Sequence, residues 1–209
     1  MKRSIFLFIL ALLAVIAFIA YNRFLSPATR FEADQKFFYI NTYAPAREAV
    51  LQRLEQDSIV KNPRHFDWLA GKMDYWEKIR PGKYKITRDM SVLDVVRLLR
   101  SGIQTPSRLV INKLRVPEDL ARLLGRSIET DSATALQFLN NTDTLAVYGL
   151  TRENWPSYII PDTYEVLWTW TPGRVINKLK DDHKRFWDRN ERRQKAEQHG
   201  LSPEQVHIL

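Results

Sequence analysis

The sequence predicts an α+β protein carried behind one N-terminal transmembrane helix. Three observations predict it. An uninterrupted apolar run from Ile5 to Tyr21 follows Lys2 and Arg3. Beyond it, short segments that alternate apolar and polar residues are interleaved with segments whose apolar residues recur at helical spacing. Ser, Thr, Asn, Pro and Gly stand at the ends of those segments, where helix starts and stops need them.

The apolar run is seventeen residues long, at the short end of what crosses a bilayer as a helix. A cleaved signal peptide shares the basic start and apolar core, but its core ends at a small-x-small site. The best such triplet, Val15-Ile16-Ala17, lies inside the run, so residues 1–21 are read as a retained anchor. Lys2 and Arg3 favour a cytoplasmic N-terminus and place the rest of the chain on the other side. Residues 22–34 mix Ser, Pro, Asn and charge without periodicity and read as a short stalk.

The chain has 32 Lys and Arg against 24 Asp and Glu, a net charge of +8. Without Lys2 and Arg3 the balance is 30 against 24, or +6. A basic exported domain attracts anionic polymers such as cell-wall glycans, teichoic acids or lipid head groups. Nucleic acid is excluded as a partner on the far side of a membrane. There is no cysteine, hence no disulfide and no thiolate metal site. His65, His183, His199 and His207 lack metal-ligand spacing, and each reads as a surface or partly buried residue. No Gly-x-Ser-x-Gly elbow or phosphate-cradling glycine loop occurs among the seven glycines, so no metal or cofactor is expected.

Residues 35–125 read as a mixed α/β domain. Phe37 to Ile40 is a first strand, and Ala46 to Gln56 is a helix with Val50, Leu51 and Leu54 on one face. Asn62-Pro63 opens a second helix that carries Phe66, Leu69 and Met73. Pro81-Gly82 turns into a strand, Lys83 to Thr87, with Tyr84 and Ile86 inward. Ser91 and Asp94 form a capping box for the helix Val92 to Arg100, which Gly102 ends. Arg108 to Asn112 is another strand. Val116-Pro117-Glu118 opens a helix through Leu123 that Gly125 stops. Residues 126–209 begin a mostly helical domain, with a short helix Ser132 to Asn140 and a long one from Thr171-Pro172 to His199. Nine Lys and Arg lie between Arg174 and Lys195; they read as a solvated face around a stripe of Val175, Ile176, Leu179, Phe186 and Trp187. Ser202-Pro203-Glu204 starts another helix, and Val206 and Leu209 begin its apolar face. An apolar stripe opening two turns before the last residue reads as the front part of a longer protein.

The most informative segment is Ser157-Tyr158-Ile159-Ile160-Pro161-Asp162-Thr163-Tyr164-Glu165. Pro161 should end a short strand or sit at its edge, and Tyr164, Val166, Trp168 and Trp170 follow at a period of two. The segment resembles the Pro-Asp-Thr-Tyr signature of the YceG-like endolytic murein transglycosylases (MltG). The Tyr-x-Ile strand and capped helix of residues 79–102 resemble half of a LysM-type glycan-binding module, which that family carries at this place. The alternative is an ordinary βα unit.

The resemblance spans about Phe37 to Leu209. It implies a membrane-anchored lytic transglycosylase, a lyase that cleaves nascent peptidoglycan strands to 1,6-anhydro ends at the outer face of the inner membrane. The implied partners are peptidoglycan strands, the inner membrane and peptidoglycan synthases. The family's catalytic glutamate lies in an Ala-Ser-Ile-x-Glu-x-Glu-Thr helix, and no residue here matches it; it is expected beyond Leu209. The 209 residues alone are therefore expected to be inactive. One such carboxyl group, first acid and then base, suffices for the reaction.

The candidate substrate-binding residues are Tyr158, Asp162, Thr163, Tyr164 and Glu165. Asp162 can shape a turn or touch substrate, and Glu165 can be a solvated or salt-bridged carboxylate. The two point to opposite faces of an extended chain and are not a facing pair. Tyr158 and Tyr164 flank the turn as candidates to stack on sugar rings, whereas Trp168 and Trp170 divide between core and cleft. The rival function is a non-catalytic, membrane-tethered glycan-binding scaffold; a second rival is an anchored binder of anionic polymers that uses the basic helix.

Overall fold

The computed structural model describes residues 2–43 and 45–206. The helix α1, Lys2–Phe24, contains an apolar span, Ile5–Phe24, of mean hydropathy 2.7. It is long and apolar enough to cross a membrane and runs three residues past the expected end at Tyr21, because Asn22 and Arg23 continue its hydrogen bonding. The residues after it are not a free stalk. The Ala28 N–H donates to the Met90 carbonyl (3.0 Å), and the Lys61 N–H donates to that of Ala28 (2.8 Å).

The chain divides into two compact units at Thr105/Pro106. In the first, β1 (Gln35–Ile40) pairs antiparallel with β2 (Gly82–Thr87), Phe38 opposite Tyr84. The helices α2 (Arg47–Gln56) and α3 (Pro63–Lys72) lie between them in sequence, and α4 (Val92–Ser101) follows. The expected caps are present. The Asn62 side chain accepts from the backbone N–H groups of Arg64 and His65, Ser91 and Asp94 close a reciprocal box, and Gly102 ends α4 at φ 71°. Phe38, Leu54, Phe66, Tyr84, Ile86, Val95 and Leu99 are fully buried together. The 79–102 stretch is accordingly not self-contained. Its strand is completed by β1, far upstream, and its helix shares a core with α3.

In the second unit β3 (Ser107–Ile111) pairs antiparallel with β4 (Asp162–Val166), Leu109 opposite Tyr164. Between them run α5 (Pro117–Ser127), α6 (Ser132–Asn140), α7 (Thr142–Val147) and a 3₁₀ turn, Trp155–Tyr158. After β4 come α8 (Pro172–Asp188), α9 (Arg192–Gln198) and α10 (Pro203–Val206). Leu109, Ile111, Leu120 and Leu124 share one core with Trp155, Tyr164, Val166, Val175 and Leu179. The boundary therefore falls before residue 106 and not after 125: hydrophobic residues of the 106–125 stretch have their partners downstream.

Three expected elements differ. Gly125 does not stop α5, which runs on to Ser127; a Cβ at Gly125 would lie 2.8 Å from the Ser132 backbone nitrogen, so this glycine is a close approach between α5 and α6. The long helix expected to reach His199 breaks after Asp188, where Asn190 and Glu191 adopt left-handed φ values of 56° and 55°. Arg192 stabilises the break by donating to the Phe186 carbonyl (2.8 Å), one of the acceptors that a helix end leaves open. The period-two stretch ends at Val166, and Trp168 and Trp170 are half-buried beyond the strand. In α10, Ser202 and Gln205 form a capping box by reciprocal hydrogen bonds of 2.8 and 3.3 Å. Leu209 and His207, parts of the expectation for this helix, lie outside the described residues.

Candidate functional site

Pro161 sits immediately before β4, so the strand starts after it and does not end at it. Asp162 and Thr163 consequently belong to β4, not to a turn, opposite Ile111 and Val110. Asp162 is exposed, and its Oδ1 accepts from the Thr163 N–H at 2.7 Å. Strand alternation puts Asp162 and Glu165 on opposite faces, as their spacing predicts. Asp162 shares the face of Tyr164 and Val166, whereas Glu165 is exposed opposite Arg108.

The two tyrosines are held in different ways. Tyr164 is 5% exposed, and its hydroxyl donates to the Ile160 carbonyl at 2.5 Å. Burial pushes its pKa up to about 12, with the carboxylates of Asp162 and Asp182 adding to the effect. It acts as a brace that fixes the loop into β4. Tyr158 is half-buried at the end of the 3₁₀ turn, with its ring 5.2 Å from that of His183 and the Lys180 ammonium 5.8 Å over its centroid. His183 is itself buried, not a surface residue.

Asp162, Thr163, Tyr164 and Glu165 line a cleft of about 490 Å³ whose other wall comes from α8 and the break after it. Lys178, Asp182, Arg185, Phe186, Arg189 and Arg192 form that wall. The spacing 178, 182, 185 puts three charges on one helix face, and Asp182 takes ion pairs from both Lys178 and Arg185. Burial would raise the Asp182 pKa, but hydrogen bonds from Lys178 and Arg185 outweigh it and hold this carboxyl below its usual value. Phe186, expected in the buried stripe, is 37% exposed in the cleft, with the Arg192 guanidinium 4.0 Å over its ring.

Sequence reading assigned these α8 residues to a solvated face and so missed half of the site. The signal that could have found them is an acid flanked at four and three residues by bases. The cleft is lined by four bases, Lys178, Arg185, Arg189 and Arg192, and three acids, Asp162, Glu165 and Asp182, and it opens beside the exposed polar edge of β4. Such a lining offers hydrogen-bonding groups of both charges to a polar ligand. A general acid needs a raised pKa. Asp182 is shifted the wrong way. So is Glu153, lowered first by the hydrogen bond with Thr151.

The depressed pKa has a checkable consequence. A carboxyl group lowered in the folded state contributes stability above its unfolded pKa of about 3.9 and loses it as pH falls through the folded value. Asp182→Asn should lower stability near neutral pH by at most about 1 kcal/mol, because water screens half-exposed partners. The gap from the parent should close as pH drops below the ordinary carboxylate range. Urea midpoints measured from neutral to acid pH test this; a gap that widens in acid would reverse the sign.

An α+β chain with one N-terminal helix apolar enough to span a membrane and a charged, strand-edged cleft is thus the class of protein that fold and site define. Residues 38–209 match the model of the YceG-like family, and the chain belongs to that family. The solved structure of a YceG-like protein, lmo1499, from Listeria monocytogenes is similar at 14% identity and a TM-score of 0.42. The match covers 81% of this chain and 60% of that one, so this chain spans less than two thirds of that relative's length. None of the curated proteins searched matches it.

Proposed function

We propose that this chain is the membrane-anchored, glycan-gripping part of a lytic transglycosylase that cleaves nascent peptidoglycan to 1,6-anhydro ends outside the inner membrane. The observation that carries the reading is the cleft between β4 and α8, where the Pro-Asp-Thr-Tyr-Glu strand faces a cationic helix. Asp162 and Thr163 offer hydrogen bonds to sugar hydroxyls, while Arg189 on the opposite wall matches the carboxylates of the stem peptides. The acid/base glutamate belongs to the family's Glu-x-Glu-Thr helix, which has no counterpart in residues 1–209. The LysM-like resemblance of the first unit supports a second contact with glycan, and peptidoglycan synthases are the proposed protein partners.

A protein that includes the Glu-x-Glu-Thr helix should release 1,6-anhydro sugars from peptidoglycan, and the 209-residue chain should release none. In the active protein Asp162→Ala should lower the rate about 10- to 100-fold and more than Glu165→Ala, since a lost hydrogen bond from a charged group costs about 1.5–3 kcal/mol. Melting curves must match the parent's before the loss is assigned to the site. Release of anhydro sugars by the 209-residue chain would overturn the assignment of the acid/base group. Glycan retention without any release by the longer protein would favour the scaffold reading.

A further inference from the structure

We propose that an exposed stripe of α3, formed by Arg64, Trp68 and Lys72, is a docking face for the lipid head-group layer, which holds the first unit flat against the membrane. The inference rests on the reading of α1 as a membrane span and goes beyond it. The three residues are four apart, so they stand one above another on a single helix face, and all three are exposed. The Trp68 ring stacks on Phe24 with centroids 5.1 Å apart and planes at 24°, and His65 lies 6.0 Å from the same phenylalanine. Phe24 is the last residue of the apolar span. Trp68 is thereby placed at the depth where hydrocarbon gives way to head groups, yet it remains 55% exposed.

Hydrogen bonds between the segment that follows α1 and the residues before α3 hold α3 at that level. Just beyond the span, the Lys61 ammonium donates to the Pro27 carbonyl at 3.1 Å and the Arg30 N–H to that of Ile59 at 3.3 Å. These join the Ala28 bonds to both Met90 and Lys61. A tryptophan flanked by cations is what the interface selects, since the indole prefers the head-group zone and Lys and Arg meet anionic phosphates. Asp67, the one carboxylate of α3, does not oppose this, because Arg47 holds it with bonds of 2.9 and 2.7 Å. The occupant is therefore the bilayer in which α1 is embedded, and anionic phospholipid in particular.

The test uses the full chain reconstituted into nanodiscs of phosphatidylcholine and phosphatidylglycerol, with bromine either high or low on the acyl chains. Shallow bromines should quench tryptophan emission more strongly than deep ones. Trp68→Phe, which keeps the stack on Phe24, should remove that difference. Arg64→Glu combined with Lys72→Glu should weaken it in discs that contain phosphatidylglycerol. Equal quenching in the parent and Trp68→Phe overturns the proposal while the anchor stands. Failure of the chain to co-float with vesicles overturns both. If Trp68→Phe abolishes retention by peptidoglycan sacculi and leaves quenching unchanged, the face belongs to glycan and the proposal is wrong.

Discussion

Trp155→Ala is expected to remove about 3–5 kcal/mol of stability from the second unit, a large share of the 5–15 kcal/mol typical of a domain. Trp155 is 2% exposed and heads the largest fully buried side chains. Its ring lies in the core shared by Leu109, Leu120, Leu145 and Val175, and truncation to a methyl group leaves a void that rigid neighbours fill only in part. The same residue opens the 3₁₀ turn that feeds Ile159 and Pro161 into β4. The residues just before that turn are fixed as well, since the Asn154 side chain accepts from the Thr151 N–H at 2.7 Å and the Thr151 hydroxyl accepts from the Asn154 N–H at 3.2 Å. The loss should therefore reach the cleft through Asp162. Hydrogen exchange would show it as faster exchange in β3, β4 and α5, with β1 and β2 unchanged because their core is separate. Equal loss of protection in both units would contradict two independent cores.

Gly125→Ala is the second large effect, and its sign distinguishes two readings of the residue. In an exposed helix interior the change would stabilise by about 1 kcal/mol, because alanine has the better helix propensity. Gly125 is inside α5, but a Cβ there would stand 2.2 Å from the Ser132 Oγ and 2.8 Å from its backbone nitrogen. Overpacking of that kind costs about 1–3 kcal/mol and should win, lowering the urea midpoint. Combining it with Ser132→Ala relieves the hydroxyl contact and leaves the backbone contact, so the double variant should stay below Ser132→Ala alone. A raised midpoint for Gly125→Ala would return the residue to a plain helical position.

These two residues mark the border of what the chain spells out locally. Apolar length, helical spacing and capping chemistry are local properties, and they determined α1, α2, α3, α4 and α6 and the strands around Tyr84 and Leu109. The Pro-Asp-Thr-Tyr-Glu segment likewise determined one wall of the site. Wherever an outcome depended on residues distant in sequence, local reading failed. Gly125 looked like a stop because nothing nearby reveals Ser132 pressed against it. The helix after Thr171 looked continuous because its pattern hardly changes at Asn190, while the break depends on two left-handed residues and on Arg192 reaching back to Phe186.

The site divides in the same way. Asp162 and Glu165 were placed on opposite faces by the period of a strand, which the sequence carries by itself. The charged triad Lys178, Asp182 and Arg185 is legible in its spacing, but only the cleft it shares with β4 decides that it lines a site and not a solvated face. Tertiary structure also decided that Tyr164 braces a loop, since its hydroxyl found the Ile160 carbonyl once the ring was buried. Sequence thus determined the anchor, the elements and the family's signature strand through short-range sterics and periodicity. Packing decided the unit boundary, the helix break and the second wall of the cleft, because burial and charge pairing depend on which distant residues come into contact.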